Sequence, residues 1–132
     1  QRQMCIRDRD IIDDLIEKAK ANGNACSAVS CYETVVLTEN RTSGKEQIDR
    51  NRIVRVQTPQ CYNYGLIKSL YEKADKDNRE DFVYANILAM NYGVEIYFSK
   101  GTNNNIKITT KDDIALFRAL LYYINNAEGE EN

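Results

Sequence analysis

Three short polar segments carry side chains suited to phosphate chemistry: Glu33-Thr34, Gln57-Thr58-Pro59-Gln60 and Asn104-Asn105-Ile106-Lys107-Ile108-Thr109. A threonine hydroxyl donates a hydrogen bond, and a lysine ammonium brings a compact positive charge. Singly, each segment has a plain structural use. Thr-Pro after a strand makes a turn, an Asn run before a strand is turn chemistry, and a lone Lys in extended chain is solvated. The chain contains no His. A Ser-His-Asp triad, a Cys-His pair or an imidazole metal site therefore cannot be built from it alone.

Composition narrows the class further. A length of 132 residues fits one ordinary domain. With 18 Lys+Arg against 20 Asp+Glu, the charge is not that of a nucleic-acid binder, whose footprint is a strongly basic face. Hydrophobic residues at 42% and charged residues at 29% describe a globular chain, neither disordered nor membrane-embedded. The longest apolar stretches, Ile87–Met90 and Ala119–Ile124, fall far short of the roughly 20 residues that cross a bilayer.

The first nine residues, Gln1-Arg2-Gln3-Met4-Cys5-Ile6-Arg7-Asp8-Arg9, resemble the translation of a sequencing-library adapter. Such a segment is left out of fold reasoning. On that reading the natural sequence begins near Asp10 and its own N-terminal part is missing. Setting Cys5 aside leaves Cys26, Cys31 and Cys61, an odd and unpatterned set that reads as reduced thiols in a cytoplasmic protein. Cys26 and Cys31 flank a small apolar run, where packing is their expected use.

The elements that must position the polar segments follow from hydrophobic periodicity. Asp10–Asn22 places Ile11, Ile12, Leu15, Ile16 and Ala19 at helical spacing, and Gly23 stops the helix. Ala25–Ser30 reads as a buried strand. Thr34–Thr38 and Arg52–Gln57 are β-branched runs separated by the polar stretch Glu39–Asn51, which predicts a projecting hairpin or arm. Pro59 is expected to end the second run. Helices are predicted over Tyr64–Lys73, with Leu66, Ile67, Leu70 and Tyr71 on one face, and over Glu80–Asn91, with Val83, Tyr84, Ile87, Leu88 and Met90. Gly93 closes that helix and Val94–Ser99 reads as a strand. After a turn at Gly101–Asn105, Ile106–Thr109 reads as a short extended segment. Thr110 then caps a last helix from Lys111, helped by Asp112 and Asp113 in its first turn. Ile114, Leu116, Phe117, Leu120, Leu121 and Ile124 supply that helix with a face to bury, and Ala127–Asn132 is a frayed acidic tail. Alternating strands and helices indicate an α/β layer with a largely parallel sheet, here short of its first strands.

Taken together and in this order, QTPQ, NNIKIT and the Thr-capped helix that follows resemble the family of 2-C-methyl-D-erythritol 4-phosphate and ribitol-5-phosphate cytidylyltransferases. The resemblance runs from about Asp10 to Ile124 and covers the C-terminal half of the family's domain. It implies a Rossmann-like nucleotidyltransferase fold, truncated at the N-terminus, with a protruding β-arm at about Thr34–Arg55 through which two subunits embrace. It also implies that Thr34 binds the polyol phosphate at the base of the arm. Glu33 stands before Thr34 where the family has Asp. Arg50 matches the arm arginine that binds the phosphate across the dimer interface, with Arg52 and Arg55 close enough to take the role instead. Thr58 and Lys107 match the threonine and lysine that face the substrate. Arg50 and Lys107 would be the catalytic cations. Asp81 lies where the family has a Thr-Asp-Asp/Glu-Ala motif, but Glu80-Asp81-Phe82 reads first as a helix start.

The reaction so implied is attack of a polyol phosphate oxygen on the α-phosphorus of CTP, giving a CDP-polyol and pyrophosphate. It rests on positioning and charge neutralisation, usually with Mg²⁺, and needs no covalent intermediate. The family's glycine-rich nucleotide loop, its triphosphate lysine and its Asp-x-x-Arg-Pro segment have no counterpart here. CTP-binding and metal residues are therefore assigned to none of these positions, and this chain alone is expected to be inactive. The alternative from another class is a non-catalytic module whose arm serves dimerisation only. Convergence of Thr34, Arg50, Thr58 and Lys107 on one crevice is what would separate the two.

Overall fold

The structure, a computed structural model, describes residues 9–79 and 84–127, apart from the side chains of residues 124, 125 and 127. The predicted adapter residues 1–8, Cys5 among them, lie outside the described residues. So do Glu80–Val83 with Asp81, and all of the predicted tail beyond Ala127. The chain divides after Gly101 into two compact units.

In the first unit, helix α1 (Arg9–Asn22) buries Ile11, Leu15 and Ala19. It ends at Gly23, whose φ of +84° is the left-handed conformation that glycine adopts without cost. Strand β1 (Asn24–Ser30) follows at once. Its side chains alternate between two faces. Ala25 packs with Leu15, Ala19 and Cys61. Cys26 points the other way, into a core with Leu70, Ala74, Leu88, Ala89 and Ile96. Helix α1 thus covers one face of the sheet, while α2 (Tyr64–Lys76) and α3 (Ala85–Asn91) cover the other. Asn63 caps α2, its Oδ1 accepting from the N–H groups of Gly65 and Leu66. The Lys73 ammonium stands 4.7 Å from the centre of the Tyr92 ring, tying the end of α2 to the turn after α3.

The main sheet has the order β4-β1-β5 and is mixed, not largely parallel. Strand β5 (Phe98–Lys100) runs parallel to β1, whereas β4 (Val54–Tyr62) runs antiparallel to it. The reason is the connection: the chain leaves β1 for the arm and comes straight back, without a helix to turn it over.

The arm is shorter than its β-branched runs suggest. Strand β2 (Val35–Leu37) pairs with β3 (Glu46–Ile48), in the register Val35↔Ile48 to Leu37↔Glu46, and not with Arg52–Gln57. The turn sets that register. Asn40 Oδ1 accepts from the N–H groups of Thr42 and Ser43 at 2.9 and 3.0 Å, and Arg41 sits at φ +61°. This folds the hairpin about Arg41-Thr42 and releases Val54–Gln57 to pair with β1.

Pro59 does not end its strand. It lies in an irregular step of the β1–β4 ladder, between the pairs Ala28↔Val56 and Cys26↔Gln60, on an edge strand. Bulges and edges are where a residue without an N–H is tolerated. Strand β5 begins at Phe98 rather than Val94. Ahead of it the buried Asn24 side chain takes over the pairing, donating to Glu95 O and accepting from Tyr97 N–H. On α3 the buried residues are Asn86, Leu88 and Ala89, while the predicted Tyr84, Ile87 and Met90 are exposed. With seven residues and apolar groups on nearly every side, that helix has no periodicity to choose a face. Tyr71 on α2 is also exposed.

The second unit opens with a turn at Asn103-Asn104, and Ile106–Thr109 forms no strand. Helix α4 (Lys111–Ala127) follows. Its predicted buried side chains Ile114, Leu116, Phe117 and Leu121 are exposed, Leu116 at 56%. Apolar spacing marks a face able to be buried and does not supply the surface that would cover it. Among the described residues no helix is long and apolar enough to cross a membrane.

Candidate substrate site at the base of the arm

Where β1 ends, the chain passes through Cys31, Tyr32, Glu33 and Thr34 before entering β2. No ladder orients this stretch, so side chains do. The Glu33 carboxylate curls back, its Oε2 accepting from Tyr32 N–H at 3.1 Å and from the buried Cys31 Sγ at 3.4 Å. It is held below the usual carboxylate range by its own backbone N–H first, then by the Cys31 thiol and the Arg55 charge.

On the returning chain, a single 3-10 turn at Arg50–Arg52 is capped by Asp49, whose carboxylate accepts from Asn51 N–H at 3.0 Å. That turn brings Arg50 to the β1 exit, where its Nη1 donates to Tyr32 O at 3.3 Å. Arg50 and the Glu33 carboxylate therefore both bond the Tyr32 backbone just past the C-terminal end of β1. This is the end of an open α/β sheet where ligand crevices form. Thr34, exposed, is part of the same corner.

Thr58 is also exposed and lies further along β4, in the irregular step between Val56 and Gln60. Its segment is well tied. Gln57 O accepts from Cys26 Sγ at 3.3 Å, and Gln60 meets Asn86 and the Tyr62 hydroxyl. Burial pushes the Cys26 thiol up to about 11 and raises the Tyr62 phenol as well, so neither ionises near neutrality.

Lys107 is exposed and belongs to the second unit. Its segment is anchored by Asp113, whose Oδ2 accepts from Thr109 N–H, Thr109 Oγ1 and Thr110 N–H at 2.7–2.9 Å. Thr110 Oγ1 in turn accepts from Asp113 N–H at 3.3 Å, which makes a reciprocal cap of α4. These bonds bring the Asp113 carboxyl down to about 2.

Of the four predicted residues, Arg50 bonds the chain at the β1 exit two residues before Thr34, Thr58 lies further along β4, and Lys107 belongs to the second unit. Sequence reasoning missed the Tyr32 carbonyl and the inward turn of Glu33, because a backbone acceptor leaves no mark in residue type. Gln57 has a second use: a Cβ at Gly101 would lie 2.6 Å from its Oε1 and 2.7 Å from Ala28 O, so the exit from β5 admits only glycine. A shallow hollow of about 230 Å³ at the arm tip is lined by Val36, Thr38, Arg41, Thr42, Ser43 and Gly44, none of them a predicted site residue. Among the described residues no three His, Cys, Asp or Glu side chains come close enough together to hold a metal ion. Cys26, Cys31 and Cys61 are free thiols.

Comparison with known proteins agrees with this architecture. The sequence matches the family model for 2-C-methyl-D-erythritol 4-phosphate cytidylyltransferase over residues 2–123. It is 36% identical over 116 residues to the ribitol-5-phosphate cytidylyltransferase of Lacticaseibacillus paracasei, covering 86% of this chain and 50% of that protein. It is 36% identical over 116 residues to the 2-C-methyl-D-erythritol 4-phosphate cytidylyltransferase of Clostridium novyi, covering 88% and 49%. In fold it is similar to the 2-C-methyl-D-erythritol 4-phosphate cytidylyltransferase of Thermus thermophilus, with a TM-score of 0.74 at 24% identity over 86% of this chain and 55% of that one. The corresponding structure from Francisella tularensis gives 0.70 at 26% identity, over 84% and 52%. The chain spans about half the length of the curated relatives it matches. The mixed sheet flanked by helices is a Rossmann-like nucleotidyltransferase fold, and the chain belongs to the 2-C-methyl-D-erythritol 4-phosphate cytidylyltransferase family.

Proposed function

We propose that this chain supplies the polyol-phosphate side of a CTP-dependent cytidylyltransferase. The observation that carries the reading is Arg50, held by the Tyr32 carbonyl at the exit of β1 beside Thr34. Its guanidinium offers five donors in a fork that matches phosphate oxygens. In the reaction, an oxygen of the polyol phosphate attacks the α-phosphorus of CTP, and pyrophosphate leaves. The work of this chain is to bind and orient the phosphate nucleophile and to offset its charge, with Arg50, Lys107, Thr34 and Thr58 as the groups assigned.

Two copies are part of the proposal. Arg50 sits in the turn between the arm and β4, and Thr58 on β4; a second subunit's arm would complete the site. The arm also exposes Val36 and Leu37, apolar surface suited to an embrace between copies. A cytoplasmic setting goes with the free thiols.

Both relatives' names fit the polyol: 2-C-methyl-D-erythritol 4-phosphate and ribitol 5-phosphate. Equilibrium dialysis of the chain against each decides between them and tests the reading. One polyol phosphate is expected to be retained, while incubation with labelled CTP and either polyol yields no CDP-polyol from this chain alone. Retention of neither polyol phosphate would favour a non-catalytic dimerisation module. Label transfer by the 132-residue chain would overturn the assignment of CTP binding to residues outside it.

A further inference from the structure

We propose that Gln60 is a positioning residue: tied to Tyr62 and to the buried Asn86, it fixes the irregular step of β4 that presents Thr58 to a phosphate-bearing polyol. The ligand rests on the cytidylyltransferase reading; the fixing of Thr58 does not.

The step is a local excess of chain. Its flanking pairs are Ala28↔Val56 and Cys26↔Gln60, so Ser27 alone stands opposite Gln57, Thr58 and Pro59. Of those three, Thr58 is exposed while Gln57 and Pro59 are half-buried. A bulge of this kind re-aims a side chain, and its extra residues cannot all join the ladder. Their conformation therefore depends on how the two ends of the step are held.

Both ends are tied by side chains. At the first, the fully buried Cys26 thiol donates to Gln57 O at 3.3 Å. At the second, the Gln60 amide is engaged on both sides. Its Oε1 accepts from the Tyr62 hydroxyl at 2.8 Å, and its Nε2 donates to Asn86 Oδ1 at 3.4 Å. Asn86 is only 6% exposed, on a helix whose other buried residues are Leu88 and Ala89. Burying an amide costs free energy unless it is hydrogen-bonded, and Gln60 supplies a partner. The step is thus joined to α3 and not to the sheet alone. Gln60 is itself half-buried, two residues from Thr58, so its effect reaches the ligand through the backbone.

The test uses the full 132-residue chain, labelled at its threonine methyl groups, with Q60M, Y62F, T58V and the double variant Q60M/T58V. Methyl relaxation of Thr58 reads its restriction directly and needs no ligand. Q60M and Y62F are each expected to loosen Thr58, with Thr38 in the arm and Thr109 before α4 unchanged. Calorimetric titration with both polyol phosphates then closes a double-mutant cycle. Q60M is expected to weaken binding about threefold, within the worth of one net hydrogen bond, and to add no further loss in the T58V background. A general loss of stability would lower affinity equally in both backgrounds. If Q60M unfolds, Y62F and Y62F/T58V carry the test, since Y62F removes one hydroxyl and keeps the ring. Unchanged Thr58 relaxation in Y62F and in folded Q60M would overturn the proposal. So would an affinity in the loosened variant equal to that of the wild type, or a loss that persists in full beside T58V. Loosened Thr58 in the variants, with neither polyol phosphate bound by the wild type, would uphold the positioning and sink the cytidylyltransferase reading instead.

Discussion

Asp113 shows how a single carboxylate can organise a stretch of chain that no strand pairing holds. It gathers three donors from Thr109 and Thr110 and so fixes the end of the stretch that carries Lys107. Its folded pKa of about 2 lies below the ordinary 3.8. The stabilisation is therefore fully present above pH 3.8 and is lost as pH falls through about 2. A carboxyl titration followed by NMR is expected to show that low midpoint, and T110A is expected to raise it. Thiol reactivity gives a second residue-scale expectation. With its pKa raised to about 11 and its side chain buried, Cys26 is expected to resist native-state alkylation, while the half-buried Cys61 is labelled first. Mass spectrometry of the labelled peptides checks the order. At this scale the sequence was informative about side chains and silent about backbone. Thr34 and Arg50 could be named from residue type and order, but the Tyr32 carbonyl that joins Arg50 to the β1 exit could not.

Among the elements, helices were legible because their signals are local: Gly23 and Gly93 as stops, Thr110 as a cap. Pairing was not. Both Val35–Leu37 and Val54–Gln57 have strand composition, and only the turn built by Asn40 decides that the first pairs with Glu46–Ile48 and the second with β1. The exit from β5 is decided just as sterically. In G101A the new methyl group meets the Ala28 carbonyl, which cannot give way, at an expected cost of about 3 kcal/mol in urea denaturation. G93A is the control, because no atom lies within 4 Å of its new methyl group and only the left-handed φ of +78° is penalised. A cost of about 1 kcal/mol is expected there. Similar losses in the two variants would contradict the close approach at Gly101.

For the whole molecule, the length of 132 residues reads as an adequate single domain, yet the chain spans about half of the relatives it matches. Periodicity has no means of reporting that, since each element is consistent with its neighbours. Pattern marks the apolar side chains of α4 and of the arm for burial, and the described chain leaves them exposed. Dimerisation through the arm predicts that V36E shifts the chain toward monomer in analytical ultracentrifugation without loss of helical content. The central claim, that this chain holds the phosphate of a polyol through Arg50, is tested most directly by calorimetric titration of the wild type and R50A with both polyol phosphates. The account predicts binding of one of them by the wild type and a loss of roughly tenfold or more in R50A, the worth of a charge-assisted hydrogen bond. Equal affinity in the two proteins, or no binding of either polyol phosphate by the wild type, would contradict it.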